Sequence, residues 1–300
     1  MILLLFAAAT VIISVNMNNK FGRYDYVAPE FTTDYYYEHY EKDYPRENIT
    51  FTSGGNTLQG YIYGGDGTKG LPQSALDLNA ALNCIENDAG LNALPRFLIG
   101  HSWGGYAVTA VMNFNHKVNG IVSVSGYAEP IEMIYEFAEG VAGNARPLLY
   151  PSMWLYNSLT FGEYAGLSAI EGINKTDTPI LIIHGTEDTT IGYNDSAIMN
   201  KRSKITNPNA EFLTLEGCTH SGMFYTKEAL ELKDKVKKAV GSLKEKYSAK
   251  DEKELARLYP EELAEIYSSS DRDRINQPNE EFLSVADEYF NRLIEAEKAA

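Results

Sequence analysis

Residues 96–104, Arg96-Phe97-Leu98-Ile99-Gly100-His101-Ser102-Trp103-Gly104, decide the architecture of this chain. Phe97 to Ile99 is a short apolar run of the strand type, and residues 105–112 (GYAVTAVM) are small and apolar at helical spacing. A serine in the pattern G-x-S-x-G between a strand and a helix is typical of a nucleophile elbow, a sharp turn that holds the hydroxyl out of the sheet. The glycines two residues away, Gly100 and Gly104, leave room for the strained backbone. The stretch therefore predicts an α/β scaffold that presents a nucleophilic serine.

Composition limits the classes of function that remain. The chain has 300 residues, 44% of them hydrophobic and 22% charged, which suits one large α/β domain or two small ones. Its net charge of −15 argues against nucleic-acid binding, which needs basic patches. The two cysteines, Cys84 and Cys218, allow one disulfide, although two buried thiols are the favoured interpretation.

The N-terminal segment is strongly apolar. Residues 1–15 read MILLLFAAATVIISV, and the first cations, Lys20 and Arg23, follow them. The run is shorter than the roughly 20 residues of a transmembrane helix, and it lacks the basic start of a signal peptide. We nevertheless interpret residues 1–23 as an export signal or membrane anchor, which predicts a membrane-anchored or secreted protein. The alternative is a buried terminal strand or helix in a cytoplasmic protein.

The rest of the chain, residues 24–300, is predicted to form one α/β domain. Alternating residues around a Gly-rich turn predict a β-hairpin over residues 49–63, and a helix is expected over 74–86. Continuous apolar runs, typical of parallel strands, lie at 121–124, 180–183 and 212–215. Residues 127–176, rich in aromatic residues and broken by Gly and Pro, suit a small helical cap. Amphipathic helices are expected over about 226–297.

A serine nucleophile needs a base and a carboxylate that orients the base, and in this architecture the chain order is serine, acid, histidine. Asp188 follows the strand at 180–183, and His220 follows the strand at 212–215, so both belong to loops at strand ends. Glu187 and Asp195 are the rival acids. The rival bases are the other four histidines, which are His39, His101, His116 (expected to be exposed) and His184.

These residues resemble the α/β-hydrolase superfamily, and within it the bacterial serine hydrolases of lysophospholipase, esterase and monoacylglycerol-lipase-like type. The resemblance runs from about residue 48 to the C-terminus. It is carried by the hairpin, GHSWGG at 100–105, HGTED at 184–188 and GCTHSG at 217–222. It implies that Ser102 is the nucleophile, Asp188 the orienting acid and His220 the general base. It also implies that the backbone N–H of Trp103 is one oxyanion donor.

The chain is shorter than this family pattern at one place. Between the hairpin and the helix at 74–86 the pattern has two strands, a helix and the loop that gives the second oxyanion donor. At typical element lengths that is roughly 40 residues, whereas here only residues 64–73 are present. We therefore expect a mostly parallel sheet that lacks two central strands and the helix between them. The hairpin then docks on the elbow strand, or that strand lies at an open edge.

Two functions follow from these observations. The first is a serine hydrolase that cleaves carboxylic esters, with a small-molecule or lipid ester as substrate and with no metal or organic cofactor. The aromatic residues of the cap suggest an apolar acyl or alcohol group, or else ordinary packing (Tyr150, Trp154, Tyr156, Phe161 and Tyr164). The second is an inactive pseudohydrolase that acts as a surface-tethered binding module, because the loss of an oxyanion donor impairs turnover. Membrane attachment is expected only through the N-terminus.

Overall fold

A computed structural model describes residues 48–53, 56–61, 71–269 and 271–299, together with Val11 and Val15. The chain divides into two compact units, Met1–Glu216 and Gly217–Ala300. Apart from Val11 and Val15, the predicted signal or anchor segment lies outside the described residues. Among the helices that the structure describes, none is long and apolar enough to cross a bilayer.

The predicted hairpin is confirmed. Strands β1 (Asn48–Ser53) and β2 (Asn56–Tyr61) pair antiparallel over six residue pairs, from Asn48 opposite Tyr61 to Ser53 opposite Asn56. Within the described residues the hairpin forms a sheet of its own. Of the two arrangements expected for the shortened chain, the structure therefore has the elbow strand at the edge of its sheet.

A four-stranded parallel sheet is the centre of the first unit. Its strand order is β3-β4-β5-β6, which is also the chain order. The strands are β3 (Phe97–His101), β4 (Gly120–Val124), β5 (Ile180–Gly185) and β6 (Ala210–Leu215). Every residue of β4 and β5 is buried, which explains their continuous apolar runs. Ile99 is 55% exposed although it is a large apolar residue, and its strand, β3, lies at the edge of the sheet.

Three helices precede or follow the elbow strand. They are α1 (Gln73–Asn87), α2 (Ala89–Asn92) and α3 (Trp103–Ala110). Helix α3 starts two residues earlier than its apolar pattern suggested and continues as a 3₁₀ turn, Val111–Phe114. It packs on β3, β4 and α1, and its residues from Gly105 onward are buried. Small side chains there allow the helix to lie close to the sheet.

The expectation that His116 is exposed is wrong. Its ring is buried between two residues of α1, with Nδ1 3.1 Å from Glu86 Oε2 and Nε2 2.8 Å from Asn79 Oδ1. Residues seven apart on a helix share a face, so α1 presents both oxygens to the same side. The sequence around His116 contains no sign of these partners, since they lie at least 30 residues earlier in the chain.

The predicted cap is helical. It contains α4 (Pro130–Phe137), α5 (Glu139–Ala142), α6 (Arg146–Phe161) and α7 (Ala169–Asn174). Its aromatic residues divide into two groups. Tyr156 is buried and meets Phe161 edge-on, with ring centroids 6.3 Å apart, whereas Trp154 is 55% exposed. The buried group therefore does ordinary packing.

The second unit is helical in its described part. Its helices are α8 (Lys227–Tyr247), α9 (Glu252–Leu258), α10 (Pro260–Ser268), α11 (Arg272–Ile275) and α12 (Glu280–Ala299). Val240, Leu255 and Leu263 form a small core, beside which Tyr247 and Tyr259 stack with centroids 3.8 Å apart. The amphipathic patterns predicted α8 and α12 but not the three short helices between them.

Both cysteines are free thiols. Cys84 is exposed on α1, so the interpretation of two buried thiols is wrong for this residue. Cys218 is partly buried, and this burial raises the pKa of its thiol.

Candidate active site

Ser102 has the backbone geometry of a nucleophile elbow. It lies between β3 and α3 with φ 58° and ψ −114°. A non-glycine residue in such a region costs about 1–3 kcal/mol, and the surrounding structure must impose it. The Ser102 N–H donates to the carbonyl of Val124 at 2.8 Å, and the Ser102 carbonyl accepts from the N–H of Tyr106 at 3.2 Å. One bond joins the serine to the next strand and the other joins it to the helix, and together they fix the turn.

The glycines around the serine have unequal roles. A Cβ on Gly100 would lie 2.2 Å from the carbonyl oxygen of Gly104, so position 100 requires glycine. A Cβ on Gly105 would lie 2.7 Å from the carbonyl oxygen of Val124. A Cβ on Gly104 would meet nothing within 4 Å. The prediction that both neighbours two residues away must lack bulk is therefore right for Gly100 and wrong for Gly104, whose place is taken by Gly105.

Trp103, the predicted oxyanion donor, is the first residue of α3. The first N–H groups of a helix have no acceptor within the helix and lie at the positive end of its dipole. The backbone N–H of Trp103 therefore belongs to the part of the elbow that favours a developing negative charge. The Trp103 indole Nε1–H donates to the carbonyl of Leu71 at 2.9 Å, which ties the side chain to the chain that enters α1.

A pair of buried tyrosines supports the elbow helix. The rings of Tyr106 and Tyr127 stack 4.4 Å apart at 11°. Burial raises the pKa of both phenols, so they stay protonated and act as donors. The Tyr106 hydroxyl donates to the carbonyl of Leu167 at 2.8 Å, and the Tyr127 hydroxyl donates to that of Leu71 at 3.0 Å. The first bond joins α3 to the cap, and the second joins Tyr127, which stacks on Tyr106, to the chain that enters α1.

Asp188 lies just beyond the end of β5, with its side chain fully buried. Its Oδ1 accepts the N–H groups of Thr190 and Ile191, each at 2.9 Å. Its Oδ2 lies 3.2 Å from Nε2 of His184, which is also fully buried. The same Nε2 lies 2.9 Å from the carbonyl of Ile191. Since both neighbours of Nε2 are acceptors, that nitrogen carries the proton and donates to them.

His184 is the site residue that sequence reasoning missed. The sequence suggests it only as a rival base, whereas the structure places it against the candidate acid. The available signal was its position four residues before Asp188 within HGTED, at the same strand end.

The rival acids differ from Asp188 in their surroundings. Glu187 is exposed. The Asp195 carboxylate lies 3.2 Å from the guanidinium of Arg146, and its side chain is 37% exposed. Asp188 is therefore the buried carboxylate of the three. Of the rival bases, His116 is bonded to α1 and His184 to Asp188, His101 ends β3, and His39 lies outside the described residues.

The carboxyl ends of the four strands are bonded to one another. Beside the Ser102–Val124 bond, the Ser125 N–H donates to the carbonyl of Ile183 at 2.8 Å, and the Thr186 N–H donates to that of Leu215 at 3.1 Å. Neighbouring strands lie about 4.8 Å apart, so β3 and β5 are separated by about 10 Å. Ser102 and Asp188 thus lie at the same edge of the sheet, where sites of open α/β sheets are found.

His220 belongs to the second unit. It is partly buried, three residues after Gly217, whose φ is 71°, and two residues before the 3₁₀ turn Gly222–Phe224. Because Ser102 and Asp188 belong to the first unit, the assembly of all three residues into one triad stays a prediction. Among the residues described, no group of three or more His, Cys, Asp or Glu side chains could hold a metal ion.

Comparison with known proteins supports the resemblance to the α/β-hydrolase superfamily. The model of the prolyl oligopeptidase family matches residues 91–239, just under half of the chain. The matched part contains Ser102, Asp188 and His220. It also contains the parallel strands and the strand–serine–helix turn described above. The chain has an α/β-hydrolase core. The expected α/β-hydrolase fold is confirmed, and among the described residues its sheet has four parallel strands with the elbow strand at one edge. The resemblance to lysophospholipases stays a prediction.

Several solved structures are similar to this α/β-hydrolase core at low sequence identity. An esterase of Pyrococcus furiosus shares 15% identity with a TM-score of 0.46, over 76% of this chain and 98% of that one. An acylaminoacyl peptidase of Pyrococcus horikoshii shares 13% with a TM-score of 0.41, over 63% of this chain and 40% of that one. Acetyl xylan esterase 1 of a Thermoanaerobacterium species shares 14% with a TM-score of 0.36, over 54% of this chain and 50% of that one. No match was found among curated proteins.

Proposed function

We propose that this α/β-hydrolase core is a serine hydrolase that cleaves carboxylic esters through an acyl-serine intermediate. The observation that carries the proposal is the backbone of Ser102, which holds φ 58° between a parallel strand and a buried helix. Such strain at a serine serves to expose its hydroxyl at the carboxyl edge of a sheet. The buried Asp188 lies two strands away at the same edge of the sheet, which suits the acid that orients a catalytic base.

In the acylation step, Ser102 Oγ attacks the ester carbonyl carbon while His220 takes the hydroxyl proton. The carbonyl oxygen becomes an oxyanion, to which the backbone N–H of Trp103 donates. The carbon–oxygen bond to the alcohol then breaks, and His220 gives its proton to the leaving oxygen. Asp188 stabilises the imidazolium that forms in between and holds the ring in the tautomer needed.

In the deacylation step, a water molecule attacks the acyl-serine and His220 takes its proton. Collapse of the second oxyanion returns the electron pair to Ser102 Oγ, which receives that proton, and the carboxylic acid leaves. One oxyanion donor comes from the elbow, whereas the sequence between the hairpin and α1 is too short for the loop that gives the second in the family pattern. Removing one such donor typically costs about 10²–10³ in turnover. We therefore propose a slow enzyme unless another amide replaces the lost donor.

Peptide or amide bonds are the second candidate substrate. The match to the prolyl oligopeptidase family favours them. The same triad serves both reactions, since only the leaving group changes from an alcohol to an amine. We place esters first because resonance stabilises an amide more than an ester and because the amide nitrogen must be protonated before it can leave, so an active site with a reduced oxyanion hole loses amide turnover first. We propose further that the substrate is a lipid ester and that the protein is attached to a membrane through its N-terminus.

The experiment is a matched panel of esters and amides with the same acyl group, from acetyl to palmitoyl, tested with the full chain and with Ser102→Ala. The proposal predicts ester hydrolysis that Ser102→Ala abolishes, with amide hydrolysis slower for each acyl group. Faster amide hydrolysis would favour a peptidase. Equal rates for both proteins would leave the pseudohydrolase, a binding module, as the better account.

A further inference from the structure

The loop after β5 that carries Asp188 is bonded to the cap through one carboxylate. Glu136, in the last turn of α4, uses both of its oxygens for this loop. Its Oε1 accepts the N–H of Gly192 at 2.6 Å, and its Oε2 accepts the N–H of Ser196 at 3.3 Å. Oε2 also accepts the Ser196 hydroxyl, which is itself buried. Hydrogen bonds to a charged acceptor are stronger than those between neutral groups, so this is a firm attachment.

A single peptide group connects Glu136 to the candidate acid. The peptide between Ile191 and Gly192 offers its N–H to Glu136 and its carbonyl to Nε2 of His184. Because a peptide group is planar, fixing its N–H fixes the direction of its carbonyl. Ile191 also donates its own N–H to Asp188 Oδ1. Glu136 therefore holds the backbone segment that holds both His184 and Asp188.

Glu136 lies close to the backbone of the loop, and a side chain at position 192 would disturb the contact. A Cβ on Gly192 would lie 2.8 Å from Glu136 Oε1 and 3.2 Å from Asp195 Cβ, so it would displace the end of the Glu136 side chain. A second contact joins the same loop to the cap, because the guanidinium of Arg146 lies 3.2 Å from Asp195 Oδ2 and 4.6 Å from the centre of the Tyr135 ring. The loop is thus attached at residues 192, 195 and 196.

From this geometry we infer that Glu136 is a positioning residue for the reaction, acting through the Ile191–Gly192 peptide on His184 and Asp188. The inference rests on the proposed function, since it concerns the acid of the same site. Glu136 touches neither Ser102 nor Asp188 directly in the bonds described, so its effect on turnover passes through the loop. The cap helix α4 then contributes to catalysis, because it sets the position of Asp188.

Glu136→Gln tests the inference, with Glu132→Gln as the matched control. Gln keeps the length of the side chain but loses the charge and one acceptor, so the loop loses an anchor. Glu132 lies one turn earlier on α4 and pairs with Lys201 at 2.8 Å, outside this loop. We expect Glu136→Gln to lower kcat and the rate of Ser102 labelling by a fluorophosphonate about tenfold with KM within about twofold, as for a displaced catalytic group. Glu132→Gln should stay within about twofold in all three.

A double-mutant cycle separates positioning from general damage. If Glu136 acts through Asp188, Glu136→Gln should lower kcat by less than about twofold in an Asp188→Asn background. A full tenfold effect in that background would overturn the inference, because it would place the action elsewhere. Gly192→Ala, which disturbs the contact from the other side, should reproduce the loss of kcat at unchanged KM even where Glu136→Gln fails to fold.

The outcomes for the two proposals differ. A wild-type chain with no Ser102-dependent labelling would refute the proposed function, and the positioning role with it. A wild-type chain that labels, together with Glu136→Gln and Gly192→Ala variants that label equally fast, would refute the positioning role alone. Amide hydrogen exchange at Gly192 and Ser196 gives a readout independent of activity, and exchange as slow in Glu136→Gln as in the wild type would also refute it.

Discussion

Backbone contacts at the elbow make Gly100 and Gly104 unequal despite their symmetric places in the motif. Gly100→Ala puts a methyl group into the Gly104 carbonyl, whereas Gly104→Ala puts one into open space on a helix. We expect Gly100→Ala to lower the free energy of unfolding by about 3 kcal/mol or more. We expect Gly104→Ala to raise it by roughly 0.5–1 kcal/mol, since Ala is favoured over Gly in helices. Urea unfolding measures both, and equal effects would contradict the elbow geometry.

Asp188 has a structural and a proposed chemical role that two substitutions separate. Asp188→Asn keeps an oxygen for the N–H groups of Thr190 and Ile191 but turns an NH2 donor toward Nε2 of His184, so we expect the free energy of unfolding to fall by about 1 kcal/mol. Asp188→Ala leaves these donors without their acceptor and should cost about 2–3 kcal/mol. Ester turnover should fall at least about 100-fold in both variants. Near-normal turnover in Asp188→Asn would exclude Asp188 as the acid.

At the scale of the elements, the sequence predicted what local patterns determine. The strands at 121–124 and 180–183 were visible as apolar runs because β4 and β5 are buried on both faces. The elbow was visible in the sequence because its tight turn requires glycine near the serine, as at Gly100. The partners of His116 were not visible, since only the fold brings Glu86 and Asn79 near its ring. The acid loop's attachment to Glu136 spans 56 residues and has no local signature.

The short helices of the second unit escaped prediction for a related reason. Helices α9 and α10 contain seven and nine residues, and two turns show too little periodicity to distinguish a buried face. Their packing centres on Leu255, which is fully buried. Leu255→Ala should therefore lower the free energy of unfolding of this unit by about 2–4 kcal/mol.

Leu258→Ala is the control for that substitution, because Leu258 belongs to the same helix and is 49% exposed. It should cost less than about 1 kcal/mol. Hydrogen exchange followed peptide by peptide measures each unit separately. An equal effect of the two substitutions would show that α9 does not pack as described.

At the scale of the whole molecule, the net charge follows directly from the amino-acid composition. A net charge of −15 repels anionic substrates at low ionic strength and leaves neutral ones unaffected. We expect KM for an anionic ester to fall when ionic strength rises from about 10 to 150 mM, because the screening length shortens from about 30 to 8 Å. KM for a neutral ester of the same acyl group should stay constant. A KM for the anionic ester that rises with salt would indicate a locally basic site.

The division into two units also belongs to this scale. The sequence predicted one domain over residues 24–300, and the described residues form two compact units with a boundary between Glu216 and Gly217. Ser102 and Asp188 lie on one side of this boundary and His220 on the other. The proposed reaction needs all three residues, so it depends on the second unit as well as on the sheet.

Labelling with a serine-reactive fluorophosphonate tests the central claim most directly, since it requires an activated serine and no knowledge of the substrate. The full chain is treated with the probe, and the modified residue is located by mass spectrometry in the wild type, Ser102→Ala and His220→Ala. We expect one adduct, on Ser102, that is absent in Ser102→Ala and strongly reduced in His220→Ala. A folded wild-type chain without an adduct on Ser102 would contradict it.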